Sequence, residues 1–466
     1  MREAPEGGPA RSTILTAMRL PRTTRQELAV LTAARPDMAA VLLASGALAG
    51  PGSDARGGLR RVPKLGWVTA DPVVARRILT DHRSFTIVGE GGVGHLWAQI
   101  LGDWVLELFD GAGHHDLRTR ARELFTHDTA TALVAGAWTG PLESARATLR
   151  AGGAVDIGRL ARVLVGRMMI SLLGIPSGDG SSGLSGLSGL SGPSDEVALA
   201  AFAKGEELAS LALGTAASTN LSPEIVAAAK LIVADLTAGV PDGWRTAPED
   251  RLLGRCRALG LTLEETTGLA SLLMVAGTET SASAIARTTA LLIDTGEQHR
   301  LIDGLRAETA RAGGVAAVEG SGDARAAADA GRASGIPPGT PDIVEATVRE
   351  GLRMTSPASV IGRGVSADVE VAGRQLRAGE RVLIMTWAAN VGVGPFRIDR
   401  PYVPENRQLW FGAGRHLCLG AALARAEIGA VLHMLWDDGM PLRIVARRPA
   451  RKVLVPGYRE LWVARA

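Results

Sequence analysis

The chain has 466 residues, of which 46% are hydrophobic and 21% charged, and its formal net charge is only +3. Such a chain can bury a large core as one big domain or as two or three ordinary ones, and its balance reads as globular and soluble. No Lys/Arg run provides the clustered charge that a nucleic-acid partner needs, and the two cysteines point to a reducing, intracellular setting and not to a disulfide framework.

In chain order, residues 1–22 read as a loose tail without the basic flank and apolar core of a secretory leader. The most apolar early run starts at Met38 and is shorter than the roughly 20 residues that span a bilayer. A cytoplasmic protein with no membrane partner is expected. Periodicity predicts a helix over 27–48, a strand over 60–70, a helix starting at Pro72 and a Gly-rich loop over 88–97. Helices follow over 114–126 and 154–176. A Ser-Gly-Leu repeat within 177–194 reads as a flexible surface insert, and 311–339 as a loop-rich segment. Between them a long helix is predicted over 262–294. A helix over 341–354, hairpins over 360–386, a last helix over 419–436 and two closing strands complete a mainly α chain with small β-sheets.

Cys418 lies in "FGAGRHLCLG", between a glycine-spaced turn and an apolar helix. The unpaired amides at a helix start stabilise a thiolate, and Gly412, Gly414 and Gly420 would let amides approach the sulfur. A zinc site lacks a second cysteine or histidine at ligand spacing. A catalytic thiol lacks a specified His/Asn or His/Asp set, and a chance Gly-rich turn stays open. One thiolate in such a loop also suits the axial position of haem iron. Cys256 carries no motif and reads as an ordinary buried or half-buried thiol.

Phe411, Gly414, Cys418 and Gly420, followed by "AALARAE", resemble the cysteine-ligand loop and proximal helix of cytochromes P450. The resemblance implies Cys418 as metal ligand, Phe411 packed near the sulfur and His416 on a haem propionate. Three other segments extend it. "EGLRMTSP" holds Glu350 and Arg353 on one helical face, which resembles the family's Glu-x-x-Arg pair; alone, that spacing is common on solvated helices. The family completes the pair with a further arginine, matched here by Arg400, although the Val-Gly-Val-Gly approach in 388–412 departs from the family pattern.

"LLMVAGTETSASAI" is similar to the family's oxygen-binding helix. There Ala276 and Gly277 would make room for O2, Thr280 would donate a hydrogen bond and Glu279 would help relay protons. The plain alternative is a helix-packing glycine beside a satisfied hydroxyl; a mid-helix glycine costs about 1 kcal/mol. "HHDLRTRARELFT" supplies His114 and Arg118 as candidate propionate donors, and Arg363 matches a further one.

The resemblance covers roughly residues 23–466, read as a single cytochrome P450 domain of bacterial type. It implies haem b, O2 and a monooxygenase acting on a small hydrophobic substrate of terpenoid, polyketide, steroid or fatty-acyl type. Electrons would come from NAD(P)H through a ferredoxin or flavodoxin with its reductase. That partner would dock near Arg415 and Arg425 of a monomer. Alternatives are a peroxide-using, C–C coupling or dehydrating enzyme, or a non-catalytic haem-binding protein.

Overall fold

Local chemistry decides where the helices start and stop. A computed structural model describes residues 21–49, 58–89, 93–102, 104–173, 193–213, 220–319 and 342–466. Most of the expected tail, most of the Ser-Gly-Leu insert and most of the 311–339 segment lie outside the described residues. The one helix expected over 27–48 is two, α1 (Arg22–Ala34) and α2 (Pro36–Ala49), because Pro36 lacks an N–H and holds Arg35 extended. Strands β1 (Leu59–Val62) and β2 (Gly66–Thr69) precede α3 (Pro72–Thr80), where the Asp71 carboxylate accepts from the Val73 and Val74 amides at 2.8 and 3.0 Å.

After β3 (Phe85–Thr86), the expected loop gives way at Val93 to α4 (Val93–Leu101), since Trp97 and Ile100 are buried in the core. Next come α5 (Trp104–Phe109), α6 (His114–Arg122), α7 (His127–Arg150), β4 (Val155–Asp156) and α8 (Ile157–Leu173). Helices α9 (Asp195–Leu213), α10 (Pro223–Leu236), α11 (Val240–Thr246) and α12 (Leu252–Ala258) lead to the long α13 (Leu263–Thr295).

A capping box opens α13: the Glu265 amide donates to Thr262 Oγ1 at 3.1 Å and the Thr262 amide to Glu265 Oε2 at 2.8 Å. Gly296, at φ 77°, ends it. Among the described residues this is the one helix long and apolar enough to cross a membrane, and most of it is buried inside the fold.

The chain continues through α14 (Glu297–Glu319), α15 (Ile343–Thr355), β5 (Ile361–Val365), β6 (Val369–Val371), β7 (Arg374–Leu376), β8 (Arg381–Ile384) and α16 (Thr386–Val391). It ends with α17 (Ala421–Trp436), β9 (Leu442–Pro449) and β10 (Tyr458–Arg465). The architecture is mainly α with small β-sheets. One sheet has the order β1-β2-β8-β5-β3, with β2 and β8 parallel; the others are β4-β10-β9 and the hairpin β6-β7. The largest apolar core lies around α13, on which α8, α15 and α17 pack, with α7 set behind α8 and α17.

Candidate functional site

Two short 3-10 turns, Leu409–Phe411 and Gly414–His416, shape the loop that carries Cys418. Gly414 has φ 69°, and a Cβ there would sit 2.6 Å from the Leu79 carbonyl oxygen, so only glycine fits. The Cys418 amide donates to the Phe411 carbonyl at 2.9 Å, folding the loop back on itself. The Gly420 amide is the one that reaches the sulfur; Gly412 and Gly414 shape the turn instead.

The Cys418 side chain is exposed, yet enough protein surrounds it that burial is the largest influence on the thiol and raises its pKa. The Gly420 amide and the charges of Arg118 and Arg425 oppose that rise. Both facts fit a sulfur on the wall of an enclosed space. Phe411 is held beneath Arg425, whose guanidinium lies 5.3 Å from the ring centroid.

A basic cluster lies beside the loop. Arg118 on α6 is 6% exposed; it donates to the Leu417 carbonyl, and its Nε has no partner. Arg363 on β5 is 4% exposed and reaches only the neighbouring Gly362 carbonyl, at 2.8 Å. Burial pulls each guanidinium down to about 10. Neither has a carboxylate within ion-pair distance among the described residues. His114 stacks edge-on to His416 with centroids 5.3 Å apart. Its Nδ1 donates to the Leu108 carbonyl at 2.6 Å, and burial lowers its pKa to about 4. Of the expected pair of cationic donors on α6, Arg118 alone is therefore charged near neutrality.

Asp110, just ahead of α6, escaped the sequence reading. Its Oδ1 lies 3.1 Å from His416 Nε2, and its other oxygen accepts from the Thr86 hydroxyl and the Ile87 amide. Burial pushes this carboxyl up, but the hydrogen bonds from His416 and Thr86 outweigh it and hold the pKa at about 2. The contact spans 306 positions, so no local pattern announces it. Asp110 occupies His416 Nε2, and the buried Nδ1 is left without a partner. Arg415 lies 4.0 Å from Asp110, and Arg425 pairs with Glu345 at 3.4 Å; their side chains are 27% and 29% exposed. Neither is the free surface charge that docking of a partner there was expected to use.

On α13, Leu272, Leu273, Ala276, Gly277 and Thr280 form an accessible stripe within an otherwise buried stretch. Just before this turn, Met274 and Val275 are buried. A Cβ on Gly277 would come 3.2 Å from the tip of Met169, so this glycine also admits α8. Thr280 Oγ1 donates to the Ala276 carbonyl at 2.7 Å. Glu279 points elsewhere: its Oε2 accepts the Val455 amide at 2.9 Å, Oε1 is buried without a partner, and burial raises the carboxyl to about 7. Next to Thr280, Ser281 donates to the buried Glu427 of α17, tying this turn to the helix that follows Cys418.

Beneath the loop, Arg353 Nε and Nη2 each donate to Glu350 at 2.7 Å, and Arg353 Nη2 also donates to the Gly394 carbonyl at 3.0 Å. Glu350 Oε1 accepts from Arg400 Nε at 3.2 Å and from the Arg397 amide at 2.9 Å. The Val-Gly-Val-Gly stretch that made Arg400 doubtful is what admits it. Gly394 has φ 134°, and a Cβ there would stand 3.2 Å from the Arg400 guanidinium. Trp410 is buried beside this network, tilted on Phe411 with its indole N–H unpaired.

An accessible thiol and two buried arginines with no ion-paired carboxylate among the described residues form a donor set that fits a flat cofactor with two carboxylates and a thiolate-bound metal. The family model described as Cytochrome P450 matches residues 342–436, from α15 through α17. The steroid C26-monooxygenase of Mycolicibacterium smegmatis is 39% identical over 126 residues, 25% of this chain and 31% of that protein. The vitamin D3 dihydroxylase of Streptomyces griseolus is 31% identical over 256 residues, 52% of this chain and 54% of that protein. The matches thus span at most about half the length of these relatives. The ligand-free crystal structure of Mycobacterium smegmatis CYP164A2 superposes with a TM-score of 0.63 at 19% identity, covering 95% of this chain and 99% of that one.

Proposed function

We propose that the chain is a cytochrome P450, a haem-thiolate monooxygenase that inserts one oxygen atom of O2 into a small hydrophobic substrate. The observation that carries this reading is the convergence of Cys418 with Arg118 and Arg363, two buried cations lacking carboxylate partners. Cys418 would hold the iron of haem b and Arg118 and Arg363 its propionates, while His416, whose Nε2–H goes to Asp110 and whose pKa is lowered by burial, would add a donor at Nδ1 only when that nitrogen also carries a proton. Bound there, haem supplies the redox chemistry that activates O2.

The protein's own residues do the rest. The Gly420 amide and the charges of Arg118 and Arg425 oppose, without overcoming, the burial that raises the Cys418 pKa. Ala276 and Gly277 leave space above the site, and Thr280 can turn its hydroxyl from the Ala276 carbonyl to donate into that space. Glu279, near-neutral in pKa, can both take and give a proton at physiological pH. The Glu350–Arg353–Arg400 network holds the chain beneath the loop.

Electrons would arrive from NAD(P)H through a ferredoxin or flavodoxin docking on the cysteine side of a cytoplasmic monomer. The relatives' names favour hydroxylation of a steroid-like or similarly apolar compound. The test is the reduced carbon monoxide spectrum of the protein and of Cys418→Ser. The wild type should show the red-shifted thiolate band and the variant should lose it; a wild type without the band overturns the reading. Substrate-dependent NAD(P)H and O2 consumption with redox partners then separates a monooxygenase from a haem carrier.

A further inference from the structure

The Glu350–Arg353–Arg400 network is matched within itself, but its outer edge is not. There a cavity of about 20 Å³ is lined by Arg349, Glu350 and Arg353 of α15 and by Arg400, Arg407 and Trp410 of the segment leading to the cysteine loop, among others. That volume has room for a single water-sized ligand. Trp410 is 8% exposed, and its indole N–H, which can only donate, has no acceptor. Among the described residues lining the cavity, it is the one buried side-chain donor left without a partner.

Charge is unbalanced in the same place. Glu350 is the only carboxylate among the described lining residues, against the guanidinium groups of Arg349, Arg353, Arg400 and Arg407. Its oxygens already accept from Arg353 Nε and Nη2, the Arg397 amide and Arg400 Nε. Arg349 and Arg407 form no ion pair among the described residues. Arg349 Nη2 donates to the Arg400 carbonyl at 3.0 Å, and Arg76 of α3, a further cation, donates to the Arg407 carbonyl. The nearest other acids are engaged or turned outward: Glu345 is paired with Arg425, and Glu405 is exposed and does not line the cavity.

Water could accept from the indole, but its two protons would meet a Glu350 carboxylate and Arg400 and Arg407 carbonyls that already hold donors. An anion needs donors alone and offsets the surplus positive charge. We propose that the cavity binds one halide ion, chloride under ordinary conditions, held by the Trp410 indole N–H and the guanidinium groups of Arg349 and Arg407. The ion would fasten the 400–410 segment to α15 directly ahead of Phe411, where the cysteine loop begins. No bond is made or broken, and the site stands or falls independently of the haem-thiolate reading.

The test is thermal unfolding of the full chain in sodium chloride and in sodium gluconate at equal ionic strength, gluconate being too large for the cavity. Chloride should raise the midpoint and saturate. Trp410→Phe, which keeps an aromatic ring and removes the donor, should weaken the apparent chloride affinity about ten- to a hundredfold, the worth of a hydrogen bond to a charged group. Arg407→Gln should weaken it as well. Arg377→Gln, at an exposed arginine paired with Asp368, should leave it unchanged. Equal midpoints in the two salts, or full chloride dependence in Trp410→Phe, overturn the site. Should Trp410→Phe fail to fold, wild-type crystals grown in bromide decide: an anomalous peak in this cavity is expected, and its absence overturns the proposal.

Discussion

Two polar clusters flank Cys418 and differ in how they are satisfied. Beneath the loop, Glu350, Arg353 and Arg400 face one another, and nearly every donor and acceptor is matched within the chain. Beside it, Arg118 and Arg363 are buried and, among the described residues, donate only to carbonyls and form no ion pair, with Asp110 acting on Arg363 from a distance, and His416 keeps a bare buried nitrogen. A closed network stabilises geometry, whereas buried charge left open is costly unless a ligand completes it. The contrast separates scaffold from binding site without reference to any family.

The largest effect should come from breaking the closed network. Glu350→Ala strands Arg353 in the interior and should destabilise the protein by about 3–5 kcal/mol, read by urea denaturation. A loss under 1 kcal/mol would refute that assignment. Arg118→Met tests the open cluster and should do the reverse. Stability of the cofactor-free protein should hold or rise, while haem retention falls roughly ten- to a hundredfold, the worth of a charge-assisted bond of about 1.5–3 kcal/mol. Equal losses in stability for both variants would erase the distinction.

The smallest effect concerns Glu427, whose burial raises its carboxyl to about 7, opposed by its bond to Ser281. The folded protein keeps a proton that the unfolded chain releases above its ordinary value of 4.5. The resulting stability is complete below that value and fades as pH rises toward about 7. Thermal melts of Glu427→Gln should show a flatter slope across this window, with Glu27, Glu279 and Glu345 still acting in the same sense and His114 and His416 in the opposite one. An unchanged slope would show that Glu427 is ionised in the fold.

Several features were legible because the physics that makes them is local. The capping box at Thr262 and Glu265 marks the start of α13, and the spacing of Glu350 and Arg353 puts them on one face. Glycines around Cys418 announce a turn that other residues cannot make. Pro36 is also local, but an apolar period running through it hid the break between α1 and α2. Helix α4 was read as loop because its glycines outweighed Trp97 and Ile100, whose burial needs partners distant in the chain.

By itself, then, the sequence determined a mainly α chain with a thiol on a rigid turn, an Ala-Gly-x-Glu-Thr helix and a Glu-x-x-Arg pair. Tertiary structure alone decided that Asp110 takes one nitrogen of His416, that Gly394 clears a place for Arg400, and that Glu279 turns to the Val455 amide and not to the stripe beside Thr280. The reason is range. Backbone preferences and helical spacing act over a few residues, whereas charge pairing and burial depend on which distant elements the core brings together.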